Sequence, residues 1–287
     1  ASSDGAPMKL ITWNIQWARG ADDKVDPRRI IDHARQMADF DVLCLQEVAA
    51  NFPDLDGNDR TDQFALFSEL LPGFTAIEAV GVDVPDGAGG RKRFGNLILS
   101  RLPVAQALRH VLPWEAAATR NMPRVLVDAM VETPFGPIRV MTTHLEYSSP
   151  VLRAAQVEGI RQIHRMAAAR QATPRQPGPH TYAPTPNAAS AILTGDFNMR
   201  PDDAGLAQLL APFDGDVPPL VDLWPVLKGA EPHPPSAFIC DQTYGPPGCL
   251  DFILATPDLA ERARSITYDI ETRASDHQPI LVEFDLG

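Results

Sequence analysis

The chain has 287 residues, 44% hydrophobic and 22% charged, with a formal net charge of −12. This composition excludes a membrane-spanning helix, since no apolar run approaches the roughly 20 residues one needs. It also excludes long-range attraction to nucleic acid or anionic lipid, except through a local basic patch that offsets the field. Ala1 to Pro7 shows no basic-then-apolar signal pattern and is expected to be a tail, with residues 8–287 forming one domain. Cytoplasmic location and a monomer are the default expectations. Three cysteines supply no disulfide framework. Cys44 fits an apolar strand, and Cys240 and Cys249 bracket a Gly/Pro loop where reduced thiols are expected over a bridge.

In chain order, Leu10 to Ile15 is the first buried strand. Asp26 and Pro27 then cap a helix in which Ile30, Ile31, Ala34, Met37 and Ala38 recur at helical spacing. Asp41 to Val48 is a second buried strand, and Phe64, Phe67, Leu70 and Leu71 mark a helix closed by Pro72-Gly73. Strands follow at Phe94 to Leu99, Arg124 to Val131 and Ile138 to Leu145. Ser149-Pro150 opens a helix towards Arg170, with Gly159 weakening its middle. The last strands are Ala191 to Thr194, Leu250 to Ala255 and Ile280 to Phe284. Three connections, Val80 to Arg93, Gln171 to Ser190 and Pro212 to Gly248, read as long loops, which compact domains usually place around a site. Alternating strands and helices predict an α/β fold with a mixed sheet core.

The stretch Ile192-Leu193-Thr194-Gly195-Asp196-Phe197-Asn198 carries two readings. If the extended chain persists past Gly195, Asp196 and Asn198 share one face at a strand's carboxyl end, suited to a polar ligand. Alternatively the same residues form an Asx turn that caps the next helix. Five more polar positions sit at the ends of buried strands: Asn14, Glu47, His144, Asp251 and the Asp276-His277 pair. One such residue is ordinarily a satisfied core group, but several together supply carboxylates for a hard cation, imidazoles for proton transfer and carboxamides for oxygen. The basic candidates are Arg91-Lys92-Arg93, Arg120 with Arg124, and Arg200. Each alone reads as a solvated turn. As candidate substrate contacts they are Arg91, Arg93, Arg120 and Arg200.

Six short motifs occur in a recognisable order: Trp13-Asn14-Ile15, Leu45-Gln46-Glu47-Val48, Thr143-His144-Leu145, Gly195-Asp196-Phe197-Asn198, Asp251-Phe252-Ile253 and Ser275-Asp276-His277. In this the chain resembles the endonuclease/exonuclease/phosphatase superfamily, from Leu10 to Phe284. The resemblance implies a deoxyribonuclease I-like four-layer α/β/β/α sandwich of two mixed sheets, with a site at one edge between them. It implies a metal-dependent hydrolase of phosphoester bonds, using Mg²⁺ with Mn²⁺ able to substitute. Glu47, Asn14 and Asp276 are the expected metal ligands. Adjacent residues of an extended chain point apart, so Asp276 cannot orient His277. Asp251 is the candidate partner for that histidine, which then acts as a general base or stabilises phosphate charge. Asp196 is expected to orient or activate water, Asn198 to hold a phosphate oxygen, and His144 to contact the phosphate or the leaving oxygen.

Two departures bear on substrate. His144 stands where apurinic-site endonucleases tend to carry tyrosine, and is closer to the form in deoxyribonuclease I, sphingomyelinases and inositol phosphatases. Phe94 occupies the place of the acid that supports that histidine in deoxyribonuclease I, leaving Glu146 as the candidate substitute. A phosphodiesterase is the leading expectation, with nucleic acid as its substrate ahead of a small phosphodiester. A phosphomonoesterase or lipid-headgroup hydrolase is second, and a non-catalytic phosphate-binding module third.

Overall fold

The computed structural model describes residues 7–287, so the expected tail lies, except for Pro7, outside the described residues. Two six-stranded mixed sheets form its centre. The first has the order β11-β12-β1-β2-β4-β3, where β1 is Met8–Asn14, β2 Val42–Ala50, β3 Thr75–Pro85, β4 Arg91–Ser100, β11 Ala263–Tyr268 and β12 Ile280–Phe284. The second has the order β5-β6-β7-β8-β10-β9, where β5 is Val104–Val111, β6 Val125–Thr133, β7 Gly136–His144, β8 Ala191–Asp196, β9 Val221–Asp222 and β10 Asp251–Ala255. Each sheet holds a single parallel pair, β1 with β2 and β7 with β8; every other pairing is antiparallel.

Helices make the outer layers. Helix α1 (Pro27–Met37) begins at Asp26, whose side chain accepts from the backbone N–H groups of Arg28 and Arg29 at 3.0 and 3.2 Å. It buries Ile30, Ile31 and Ala34 against Ile11, Leu43 and Leu45, joined by Phe64 and Phe67 of α2 (Gln63–Leu70). Each large side chain removed from water there contributes roughly 1.5–3 kcal/mol. Helix α3 (Pro150–Ala172) covers the second sheet with Leu152, Val157 and Ile160. Gly159, expected to weaken α3, instead lies where the helix passes Pro113; a Cβ there would come within 2.7 Å of the proline ring. Shorter helices α4 (Ala204–Leu210), α5 (Leu223–Lys228) and α6 (Pro257–Ala260) complete the architecture, an α/β/β/α sandwich.

The inner faces of the two parallel pairs change character along the strands. In β1 the inward positions are Leu10, Thr12 and Asn14; in β7 they are Val140, Thr142 and His144, and in β8 Ile192, Thr194 and Asp196. The middle layer is a polar clasp between the sheets. Gln46 Nε2 donates to Thr12 Oγ1 at 3.1 Å and Thr142 Oγ1 at 2.8 Å, and Thr194 Oγ1 donates to Thr142 Oγ1 at 3.1 Å. The last layer is ionisable, at the carboxyl ends of parallel strands where α/β sheets place their ligands.

Two of the three expected loops contain regular structure. Val80 to Arg93 is a hairpin made of β3 and β4, and Pro212 to Gly248 carries β9 and α5. Gln171 to Ser190 is irregular apart from the end of α3 and a single turn at His180–Tyr182. Cys249 is buried while Cys240 is exposed, and both are free thiols.

Candidate active site

Asn14 ends β1 and joins the sheets. Its Nδ2 donates to Glu47 Oε1 at 3.0 Å and to Asp196 Oδ2 at 2.9 Å, and the residue has no exposure. Glu47 is out of step with its strand. Gln46 already faces inward, so an unbroken strand would turn the next side chain outward. The pairing of β2 with β4 slips between Leu45 and Val48, and Glu47 takes a left-handed backbone at φ 59°. This bulge re-aims the carboxylate into the site, as bulges beside active sites do. Burial, and then the charge of Asp276, push the Glu47 carboxyl up to about 7.

His144 and Asp196 end β7 and β8 as direct neighbours across the parallel pair. Gly195 makes their approach feasible: its φ is 139°, and a Cβ would collide with the Thr143 carbonyl. The strand continues through Gly195 to Asp196, so the glycine tightens the sheet and does not end it. Each reading of the Asp-Phe-Asn stretch holds in part: the strand ends at Asp196 with Asn198 left-handed, and the Asx turn forms but caps no helix, since Asp203 caps α4. Asp196 Oδ1 accepts from the Asn198 backbone N–H at 2.9 Å, an Asx turn, while Oδ2 faces the site. Phe197 turns the other way and stacks on Phe252 at 5.6 Å. Asn198, left-handed at φ 50°, donates from Nδ2 to the Leu145 carbonyl at 2.9 Å and to His144 Nε2 at 3.1 Å. His144 therefore carries its hydrogen on Nδ1. Burial first, and then the Arg124 charge, lower its pKa to about 3 and hold it neutral.

His277 meets Asp251, with Nδ1 2.7 Å from Oδ2, and its Nε2 lies 3.6 Å from Asp196 Oδ2. Burial alone would strip its proton, but the carboxylates of Asp251, Asp196 and Asp276 outweigh that and raise its pKa well above the usual histidine value. Asp276, on the other side of the chain, borders the same cavity as Glu47. The segment is anchored to β1: Ser275 Oγ donates to the Asn14 carbonyl at 2.8 Å, and Trp13 Nε1 donates to the His277 carbonyl at 2.9 Å.

Two further partners complete the site, Ser236, which the sequence does not mark, and Arg124, which it offers only as a basic candidate. Ser236, fully buried, donates from Oγ to Asp251 Oδ2 at 2.6 Å and accepts from the N–H groups of Leu250 and Asp251. It fixes the carboxylate that orients His277, and nothing in the local Pro-Pro-Ser sequence marks it. Arg124 is 7% exposed and borders the cavity, with its Nε 3.8 Å from Glu146 Oε2. Glu146 therefore faces Arg124 and the Ser148 N–H, not His144, whose nearest acids are Asp196 at 3.4 Å and Glu47 at 3.7 Å. That corrects its expected place as support for His144.

These groups open on a cavity of about 350 Å³. A second space of about 240 Å³ adjoins it, sharing Tyr147, Asn198, Phe238, Tyr244 and Leu250. Arg120 borders the first and Arg200 the second. Arg91 and Arg93 border neither. Arg91 is held by Asp83 at 2.7 Å, and Arg93 by Asp62 at 2.6 Å and Glu78 at 3.2 Å, so both are spent on acids of the hairpin's own neighbourhood.

The donor set suits a hard divalent cation. Ligand atoms of Glu47, His144 and Asp196 lie within 4.8 Å of one another, as do those of Asp196, Asp251 and His277. Burial first, and then the neighbouring Asp276 charge, raise the Glu47 carboxyl, and a bound cation would offset both. Oxygen-rich clusters of this kind bind Mg²⁺ through one or two carboxylates with water completing the shell.

No curated protein matches the chain. Solved structures share its fold. One is an endonuclease/exonuclease/phosphatase from Bacteroides vulgatus, 18% identical, covering 98% of this chain and 99% of that one, with a TM-score of 0.66. The Bacteroides thetaiotaomicron mannosyl-6-phosphatase is 18% identical over 96% of this chain and 98% of its own, with a TM-score of 0.60. The 3'-5' exonuclease of Neisseria meningitidis is 18% identical over 97% of this chain and 100% of its own, also with a TM-score of 0.60. The family model for the Endonuclease/Exonuclease/phosphatase family matches residues 11–277, which takes in every strand-end group described above. The chain belongs to that family and is a hydrolase of phosphoester bonds.

Proposed function

We propose that this protein is a divalent-cation-dependent phosphodiesterase, with Mg²⁺ as its ion and Mn²⁺ able to replace it. The observation that carries this is the convergence of the Asp251–His277 pair, Asp196, Asn198 and His144 on one cavity beside Glu47, Asn14 and Asp276. The two adjoining cavities favour a diester over a monoester. A phosphate at Asn198, which both share, has space on either side for a substituent.

His277, held protonated by Asp251, donates from Nε2 to a phosphate oxygen. Burial would raise the Asp196 carboxyl, but the His277 charge together with the other partners of Asp196, among them the hydrogen bonds from the Asn198 N–H and Asn14, more than cancels this, so Asp196 stays ionised and accepts a proton from the attacking water. The general-base role open to His277 in the sequence thus passes to Asp196. Asn198 and neutral His144 contact the phosphate and the leaving oxygen. Held by Glu47, Asn14 and Asp276, a divalent cation would offset charge on the phosphate and leaving oxygens.

Nucleic acid is the first substrate class to test, the exonuclease of the same fold being its precedent. Phosphomonoesters are the second, with the mannosyl-6-phosphatase as theirs. The test is a panel of small phosphodiesters, phosphomonoesters, plasmid, single-stranded DNA, RNA and sphingomyelin, assayed with Mg²⁺, Mn²⁺ or chelator. Diester cleavage that stops in chelator is the expected result. Cleavage of monoesters alone would overturn the proposal.

A further inference from the structure

Six of the chain's four Trp, four Tyr and twelve Phe residues meet around the cavity: Trp17, Phe52, Phe94, Tyr147, Phe238 and Tyr244. A site that reads only phosphate needs none of them. Two are presented on unfavourable backbone, Trp17 at φ 44° and Phe238 at φ 63°. Bulky side chains rarely adopt such angles, and residues that do so cluster at ligand clamps. Trp17 is further fixed by its Nε1 donating to the Asp56 carbonyl at 2.9 Å and by Gln63 donating to its own carbonyl at 2.8 Å. Phe52 and Phe94 meet edge to face at 6.4 Å. At the rim Tyr147 and Tyr244, 44% and 63% exposed, do the same at 6.0 Å. These rings line the cavity and are held by one another and by the backbone, a pre-organisation under which stacking adds affinity.

Resting on the phosphodiesterase proposal, we infer that this aromatic cup binds a planar ring carried close to the scissile phosphate, so that the enzyme selects small or unstacked aromatic phosphoesters. Three observations separate this occupant from the alternatives. A volume of about 350 Å³ lies in the range of small-molecule sites and suits a ring with its phosphate. The hairpin cations that would follow a polynucleotide backbone are paired with Asp54, Asp62, Glu78 and Asp83. Six of the lining side chains are aromatic, and such rings match a flat occupant better than a flexible alkyl chain does. A nucleobase and a simple aryl group share this chemistry.

Calorimetric titration of the Mg²⁺-loaded protein with unreactive phosphonates tests the cup apart from turnover. Methylphosphonate reports the phosphate position alone; benzylphosphonate and octylphosphonate add an aryl or an alkyl group. Ribose 5-phosphate and adenosine 5'-monophosphate, titrated in Ca²⁺ to slow hydrolysis, ask the same of a nucleobase. Benzylphosphonate should bind about tenfold more tightly than methylphosphonate and more tightly than octylphosphonate, a stacking-sized gain. Phe52→Ala and the surface change Tyr244→Ala should each shrink that ratio to about threefold, while Tyr244→Phe preserves it. Equal affinity for benzyl and methyl phosphonates together with equal affinity for adenosine 5'-monophosphate and ribose 5-phosphate, or preference for octyl, overturns the cup and leaves the phosphodiesterase proposal standing. Failure of all the phosphonates to bind removes the phosphate site, and the cup with it. A gain with adenosine but not benzyl identifies a nucleobase as the ring; a gain with both identifies general aryl recognition.

Discussion

Glu47 shows how much a single side chain can be asked to do. It sits in a left-handed backbone conformation within a bulge, and its carboxyl is raised to about 7 by burial and by Asp276. Both features oppose folding unless something at the site favours the carboxylate, as the proposed divalent cation would. Glu47→Gln should weaken Mg²⁺ binding by about tenfold or more with little change in urea midpoint. Wild-type Mg²⁺ affinity in that variant would remove Glu47 from the ligand set. The Asp251–His277 pair makes a second residue-level prediction. Asp251→Asn should slow turnover about as much as His277→Ala, and the double variant should lose little more. Losses that multiply fully would mean that the two side chains act independently. Most of these residues could be found from the sequence, because a polar residue ending a buried strand is conspicuous. Ser236 could not, since its partner lies 15 positions away, and Arg124 and Glu146 each stand out in the sequence but not as a pair, being 22 positions apart and joined only by the folded chain.

Elements were legible to the degree that they are buried. The strands expected from apolar runs are the inner strands of both sheets. The four left out, β3, β5, β9 and β11, are the four sheet edges. Edge strands are half exposed and blunted by polar residues, so they lack the continuous apolar signal. In β5, Val104–Val111, every residue has some exposure. A buried polar network between elements was equally silent. Arg139 of β7 is 1% exposed; it pairs with Asp128 of β6 at 2.7 Å and reaches His164 Nδ1 of α3 at 3.2 Å, while His164 Nε2 donates to the Pro218 carbonyl at 2.8 Å. Burial chiefly, and the Arg139 charge, lower the His164 pKa to about 4. The unfolded chain binds this proton near pH 6.5 and the native one only near 4, so the network's stabilisation is complete above 6.5 and falls as pH drops through that window. Denaturation in urea should show a loss on the order of 3 kcal/mol between pH 7 and 4 from this group. His164→Gln should flatten that part of the profile. An unchanged pH profile in the variant would mean that His164 is not the titrating group.

At the scale of the molecule, the two sheets bring their single parallel pairs face to face, so four strand ends from distant parts of the chain meet at one edge. The sequence carried the order of the motifs and hence the family. It did not carry the shape of the cleft, because Phe52, Leu55, Arg120 and Met122 come from connections with no periodicity of their own. The charge of −12 takes on a local meaning here. The Arg91-Lys92-Arg93 cations are matched by Asp83 of the hairpin and by Asp54 and Asp62 of the connection before α2, while the carboxylates at the strand ends lack equal compensation. From that imbalance follows the proposal that the cluster binds a divalent cation on which hydrolysis depends. The most direct measurement is the initial rate of phosphodiester hydrolysis by metal-stripped protein as Mg²⁺ is added back. The rate should start near background, rise along a saturating curve, and fall again in excess chelator, with Glu47→Gln needing more Mg²⁺ to reach half its maximum. A stripped wild-type protein that hydrolyses the same diester at full rate in chelator would contradict the account.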